Sequence, residues 1–416
     1  MIPRKEKANE LHKASNLRVL YVTGRLFFYQ IGGPAEVGRN LAFALSKYPN
    51  VKLTVLGTSP PKIPIPSTNN LRILALATSK HADSITDIIL SWFGYPILRG
   101  IKKYDIIHFD IFPGLRASSI FIISRLIDRR CPILITVNGL PSQEFLYEAS
   151  GLVTIFRRIH WTISKKLMRL SRVLIVNSEY EKTEIKKQGI SNQNMVVIPN
   201  GVGNEFFDQN SHDVLQKKII VNYGAFRPIK GQDLLIKAFK IADCKKDHKL
   251  ILIGGPDGKF KSSCKGLVSR LGLNGKVYFF NFMSHKDLIP LLKESEFCVF
   301  PSRLETFNIA ALESMALGKA VIATKRGGPS DYIKNGWDGI LVDPEDIDGL
   351  ASAMDFLASN PTVRVEIGKH AQARAQDFKW DQVAKNYLSL YKACLAVAKT
   401  ASSTTVCKNY SSFRIN

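Results

Sequence analysis

The sequence predicts an α/β protein built from two doubly wound parallel-sheet domains that face each other across a cleft. From Leu17 onward, short β-branched runs bounded by turn residues alternate with longer segments of helical period, the pattern of successive βαβ units. The alternation runs twice, and each run opens with a strand, a glycine-containing loop and an amphipathic helix. A chain of 416 residues, 45% hydrophobic and 22% charged, is long enough for two domains and has an ordinary globular composition.

In the first run, buried strands are expected at 18–22, 51–56, 106–109, 133–137, 173–176 and 196–198. In the second they fall at 219–223, 250–253, 277–280, 298–300 and 320–324. Between them lies the polar stretch from Asp208 to Asp213, a poor core segment. The expected domains are therefore 17–207 and 214–380. A long helix at about 381–398 follows the last strand and is expected to pack back on the first domain. Residues 1–16 and 400–416 are expected to be disordered.

Each opening loop leads into a helix. Gly32-Gly33 precedes the apolar stripe Val37, Leu41 and Leu45, and Lys230-Gly231 precedes Leu234, Leu235, Ala238 and Phe239. Doubly wound sheets bind ligands at the carboxyl ends of their strands, so the active site is expected between the domains.

Composition excludes several classes. The apolar stretches 85–98 and 117–123 are broken by Asp87 or flanked by Arg116 and Arg125, and neither reaches the ~20 residues of a membrane span. The apolar run at 19–22 is too short for a signal peptide. Six scattered cysteines, with no Cys-x-x-Cys pair, read as reduced thiols in a cytoplasmic protein. Lys plus Arg (58) less Asp plus Glu (35) leaves a charge of +23. No nucleic-acid motif accompanies it, so phosphate-bearing ligands and an anionic membrane surface are the expected partners, not nucleic acid.

Segment 156–170 sets Ile159, Ile163, Leu167 and Leu170 at helical spacing, beside Trp161 and several cations. It reads either as a face lying on anionic lipid or as a core stripe with solvated cations. The apolar segment 85–95, followed by Arg99, Lys102 and Lys103, would extend the same surface.

The strongest chemical signal follows the strand at 298–300. A loop carries Glu305, and a helix from near Asn308 ends at Gly318, with Glu313 on it. Two carboxylates set this way can accept bonds from hydroxyls on different parts of an extended ligand, and the helix N-terminus suits an oxygen-rich group. The second signal is the loop Gly224 to Gly231, where Arg227 offers a planar fork and Lys230 a point charge, a pair suited to a diphosphate. Asp346 and Asp348 imitate a metal-binding Asp-x-Asp but stand at a helix start, where capping explains them. No metal is expected.

With these motifs in place, the sequence resembles family 4 of the retaining glycosyltransferases, from about Leu17 to Ala398. The resemblance rests on the order of Gly32-Gly33, Val197 to Val202, the Arg227/Lys230 loop, the paired glutamates, Gly327-Gly328-Pro329 and Asn335-Gly336. It implies the GT-B fold of two Rossmann-like domains facing across a cleft. It further implies that Arg227 and Lys230 hold the diphosphate of a UDP- or GDP-sugar, the co-substrate, with no permanently bound cofactor. Glu305 would contact the donor sugar beside the amides of Phe307, Asn308 and Ile309, Glu313 the ribose, and Gly33 would let the backbone approach the phosphates. Glu305, Arg227 and Lys230 are the implied catalytic residues.

Asn138 stands where many members of the family carry His, and His108 matches a His common among them. Both are candidates for the acceptor or sugar side, although a lone His at a strand end, as His108 is, is more often structural. Asp331 replaces a more usual Glu. The activity implied is retaining, metal-independent transfer to a hydroxyl of a glycan or glycolipid in cell-surface biosynthesis, by a protein in the cytoplasm or on the inner membrane face. The alternatives are a catalytically silent GT-B subunit that binds a partner, or a sugar-nucleotide epimerase.

Overall fold

The computed structural model describes residues 16–23, 33–57, 69–75, 104–110, 115–127, 130–139, 152–207, 217–255 and 257–399. The segments 85–95 and 208–213 and the glycine at 32 lie outside them, as do 1–15 and 400–416.

The first sheet is formed by β1 (Leu17–Thr23), β2 (Val51–Gly57), β3 (Leu71–Ala75), β4 (Ile106–Asp110), β5 (Ile133–Thr136), β6 (Val173–Val176) and β7 (Met195–Val197), in the order β3-β2-β1-β4-β5-β6-β7. Its neighbouring strands are all parallel. The second sheet contains β8 (Ile219–Tyr223), β9 (Lys249–Ile253), β10 (Val277–Phe280), β11 (Phe297–Phe300), β12 (Ala320–Thr324) and β13 (Ile340–Val342), ordered β10-β9-β8-β11-β12-β13. It too is parallel throughout. Strands β4, β5, β6, β11 and β12 are buried along their whole length, because helices cover both faces of a parallel sheet. That burial is why they read as continuous apolar runs.

The helices that bear on the site are α1 (Gly33–Ser46), α2 (Leu115–Ile127), α3 (Leu152–Leu170) and α4 (Glu179–Lys187) in the first half. The second half supplies α5 (Gln232–Ile241), α6 (Lys259–Arg270), α7 (His285–Glu294), α8 (Ile309–Ala316), α9 (Pro329–Tyr332), α10 (Ile347–Ser359) and α11 (Pro361–Ala375). Each sheet carries a core on either face. The last helix, α12 (Trp380–Lys399), leaves the second half and buries Trp380, Val383, Tyr387, Leu390 and Tyr391 against Val37, Leu41 and Leu45 of α1. Burial of each such large side chain contributes roughly 1.5–3 kcal/mol.

Two chain segments join the halves and run side by side. Val202 pairs with Lys379 and its N–H donates to Phe378 O at 2.8 Å. Gly201 lies under the Trp380 indole, where a Cβ would come within 2.5 Å of the ring.

Three sequence expectations change. Strands β3 and β13 are additional: each is one of the two edge strands of its sheet and is partly exposed, and β3 carries Arg72. In α3, Trp161, Leu167 and Met168 are buried and Ile163 packs against the first core, while Leu170 is 55% exposed. The stripe is therefore largely core. The third change concerns His108 and is set out with the site below.

Candidate active site

The order of the second sheet reverses between β8 and β11, and an open α/β sheet places its ligand crevice at such a point. The loops after these two strands carry the charged residues singled out in the sequence. After β8, Arg227 is extended and exposed, and Pro228–Lys230 forms one tight turn. Gly231 then adopts φ 70° and starts α5. A Cβ there would fall 2.1 Å from Pro301 O at the end of β11, so glycine lets the two loops touch. Arg303 fastens them: its N–H donates to Ile229 O at 2.8 Å and its guanidinium pairs with Asp233 at 2.6 Å.

Lys230 Nζ meets Glu305 Oε2 at 2.5 Å. Ser302 Oγ donates to the same oxygen at 3.3 Å, and Glu305 is buried. The Glu305 main chain is held from behind by Gly327-Gly328. Gly328 N donates to Glu305 O at 2.9 Å, and a Cβ on Gly327, at φ 137°, would lie 1.9 Å from that carbonyl oxygen. These glycines thus place the carboxylate loop.

Asn308 follows with φ 69°, the one positive φ outside glycine among the described residues. Its side chain caps α8 by accepting from Ala311 N at 3.2 Å, and Tyr332 holds its carbonyl at 3.0 Å. Asn tolerates the left-handed region better than most residues. Phe307 is buried beside Tyr332 and Phe378, and Ile309 opens the helix. The first turn of α8 presents backbone N–H groups that helix geometry leaves without intrahelical partners.

Glu313, the fifth residue of α8, is buried and accepts from Tyr223 OH at 3.1 Å. Burial pushes its carboxyl up to about 8. Glu36 adds to the effect and His285 opposes it. Glu36 lies in the first turn of α1, the helix that Gly33 begins, so the first domain reaches the Glu313 end of the cleft. His285 Nδ1 faces Glu205 Oε1 at 3.0 Å, and Nε2 faces Glu36 Oε1 at 3.4 Å. Burial disfavours the charge, yet the two carboxylates push His285 up to about 10. Glu36, Glu205 and His285 form the one possible metal-ligand group among the described residues. With both ring nitrogens engaged, the geometry is that of an imidazolium bridging two carboxylates. Asp346 accepts from Gly349 N at 2.8 Å and caps α10.

On the first domain, Asn138 Nδ2 donates to Asp110 Oδ1 at 2.8 Å, and Asn177 Nδ2 donates to Asn138 Oδ1 at 2.9 Å. The Asn138 amide is therefore fixed in one orientation. Burial pushes Asp110 up to about 6, with the Asn138 bond opposing. It pushes Glu181 up to about 8, although the N–H groups of Asn177 and Gly139 oppose it. Ser178 connects this network to the second domain, accepting from Glu181 N at 2.9 Å and donating to Thr306 O at 2.7 Å. Nearby, Asp331 accepts from Tyr180 N at 3.2 Å.

His108 must be moved from the acceptor side to the core. It is fully buried, with Nδ1 2.7 Å from Tyr391 OH and Nε2 2.7 Å from Thr136 Oγ1. It stands two residues before the end of β4, under α12, and both nitrogens are committed. Burial lowers it to about 3.

The structure thus brings Lys230 and Glu305 together, sets Glu313 deeper in the same wall and puts Arg227 on the loop of Lys230. Sequence reasoning missed Tyr223, Glu36, His285 and Ser178. The first-turn position of Glu36 after a glycine pair was the one local signal for any of them.

Sequence models for two families match end to end: Glycosyltransferase Family 4 over residues 31–206 and Glycosyl transferases group 1 over residues 204–374. The chain belongs to glycosyltransferase family 4. A D-inositol 3-phosphate glycosyltransferase of Acidothermus cellulolyticus is 30% identical over 193 residues, 44% of this chain and 42% of the relative. The chain spans about half the length of the curated relatives it matches first. Sucrose-phosphate synthase from Thermosynechococcus elongatus superposes with TM-score 0.76 at 20% identity, covering 92% of this chain and all of that one. Anabaena Alr3699/HepE, solved in complex with UDP, gives 0.70 at 19%, covering 91% of this chain and all of that one. These likenesses establish the GT-B fold of this family 4 chain.

Proposed function

We propose that this chain is a retaining glycosyltransferase that moves a sugar from a nucleotide diphosphate sugar, UDP- or GDP-linked, to a hydroxyl of a glycan or glycolipid. The observation that carries the reading is the Lys230–Glu305 contact at the β8/β11 crevice, at the head of α8 and above Glu313. Lys230 and Arg227 hold the diphosphate, for which Lys230 exchanges its carboxylate partner. Glu305 and the amides of Phe307, Asn308 and Ile309 orient the sugar, Glu313 takes the ribose hydroxyls, and Gly33 admits the phosphates. Asn138, its amide fixed by Asp110 and Asn177, donates on the sugar or acceptor side.

In the reaction the bond from the anomeric carbon to the diphosphate oxygen breaks and a bond to the acceptor oxygen forms on the same face. The acceptor proton passes to the departing diphosphate. Charge grows on that leaving group, and the two cations stabilise it, an electrostatic contribution that needs neither a protein base nor a metal.

Membrane association is proposed for the exposed end of α3 together with the neighbouring face of α2, since the rest of the α3 stripe is largely core. Ile122, Leu126 and Leu170 are 43%, 66% and 55% exposed, with Arg125, Lys166 and Arg169 among them in sequence. Apolar side chains amid cations suit an anionic bilayer, consistent with a cytoplasmic enzyme of cell-surface glycan biosynthesis working at the inner face. No helix of the described residues is long and apolar enough to cross a membrane.

The deciding experiment is a thermal-shift panel of UDP-, GDP- and ADP-sugars, followed by donor hydrolysis and transfer assays. Stabilisation by one donor, with release of its sugar, supports the proposal. Stabilisation without turnover favours a silent subunit, and no stabilisation by any donor removes the reading.

A further inference from the structure

Lys261, the third residue of α6, is a buried lysine that the reaction above does not use; it is 2% exposed. Its ammonium donates to Gly254 O and Phe280 O, each at 3.2 Å, and to Asn281 Oδ1 at 2.6 Å. It pairs with Asp257 Oδ1 at 2.8 Å and stands 5.0 Å from the centre of the Phe226 ring. Burying an ammonium is costly unless its three hydrogens are satisfied, and here oxygens and an aromatic face surround it.

These partners share a location. Gly254 follows β9, Phe280 ends β10, and Phe226 lies in the loop of Arg227. The packing is close, since a Cβ on Gly254 would fall 1.8 Å from Gly224 O. Lys261 therefore ties together three strand ends on the side of the crevice opposite Glu305. Glu313 senses His285, the first residue of α7, and only residues 281–284 separate His285 from the end of β10. A ligand with its diphosphate at Lys230 and its ribose at Glu313 directs its base toward that segment. There Phe280 and Phe282 are 41% and 45% exposed, and exposed rings can stack on a base.

We propose that Lys261 is a positioning residue that fixes the strand end from Phe280 to Phe282 as the base-reading edge of the donor site. The inference rests on the nucleotide-sugar reading of the site. It predicts that base discrimination depends on a side chain too deeply buried to touch the base itself.

The test is isothermal titration of the full chain with UDP, GDP, ADP and inorganic pyrophosphate, using wild type, Lys261→Met and Asn281→Ala. Lys261→Met should weaken the preferred nucleoside diphosphate about tenfold or more and compress its advantage over the others toward unity, with pyrophosphate affinity unchanged. Asn281→Ala, which removes one partner of the ammonium at an exposed position, should act in the same direction by a smaller factor. Undiminished base preference in Asn281→Ala and in a folded Lys261→Met overturns the inference. If Lys261→Met does not fold, Asn281→Ala decides. A wild type that binds no nucleoside diphosphate removes the donor reading itself and this inference with it.

Discussion

At the residue scale, the cleft pairs groups whose charge depends on what surrounds them. Glu313 carries a carboxyl held up at about 8 by burial and by Glu36, so near neutral pH it is largely protonated. An ionised carboxylate accepts bonds from two ribose hydroxyls better than a neutral acid does. Donor affinity should therefore rise as pH increases through about 8, by up to roughly tenfold per unit while the proton is being released. Titration of UDP between pH 6.5 and 9 checks the sign, and Glu313→Gln should bind more weakly and lose the slope. Arg227 is the second residue to probe. It is exposed on the loop that carries Lys230, so Arg227→Ala should leave the thermal midpoint nearly unchanged. If it shares the leaving-group charge, turnover should fall by about 10²-fold or more, and near-normal turnover would contradict the diphosphate assignment.

At the element scale, α12 is fastened to the first sheet partly through His108. Its ring lies between Tyr391 and Thr136 and stays neutral to about pH 3, against 6.5 for a free imidazole. Between these values the unfolded chain binds a proton that the folded chain refuses. Stability is thus present above 6.5 and is lost as pH falls toward 3, by at most about 1.4 kcal/mol per pH unit. Glu181 and Glu313 work in the other direction. Their folded values near 8 exceed the ordinary 4.5, so their contribution is complete below 4.5 and declines as pH rises through 8. Measured thermal midpoints should therefore decline as pH rises from about 4.5 to 8, because the two carboxyls outweigh the one imidazole there. His108→Gln, by removing the opposing slope, should steepen the decline below 6.5 while lowering the whole curve. The inner strands could be read from sequence because helices on both faces make them uniformly apolar. Strands β3 and β13 were not read, and edge position alone does not account for it, since the edge strands β7 and β10 were; β3 is interrupted by Arg72 and partly exposed, and β13 is a short run just after Gly336 and Gly339. The placement of Glu305 on a loop and Glu313 on the helix behind it was legible from the preceding strand, Pro301-Ser302 and the small-residue helix closed by Gly318. The assignment of His108 was not, because its surroundings come from α12, about 280 residues further along the chain.

At the scale of the molecule, the two halves meet at a few definite points among the described residues. Ser178 reaches Thr306, the amide of Tyr180 reaches Asp331, Glu36 reaches His285, and the crossing segments at Val202 and Lys379 lie together. The first contact matters most for chemistry, because Thr306 sits between Glu305 and Phe307. First-domain closure therefore bears directly on the loop that carries Glu305. By contrast, Lys230, Glu305 and Glu313, the proposed donor residues, all belong to the second half, so on that proposal gripping the donor and bringing the domains together are separable tasks. The double variant Ser178→Ala/Asp331→Ala should keep donor affinity within about twofold, yet lose turnover by about tenfold or more, because reacting groups are no longer held in register. Small-angle scattering should show a larger radius of gyration, and hydrogen exchange should rise in the first turn of α4, where Ser178 also caps the helix. Equal losses in affinity and turnover would place these contacts in donor binding instead, and an unchanged radius with full turnover would mean that closure is held elsewhere.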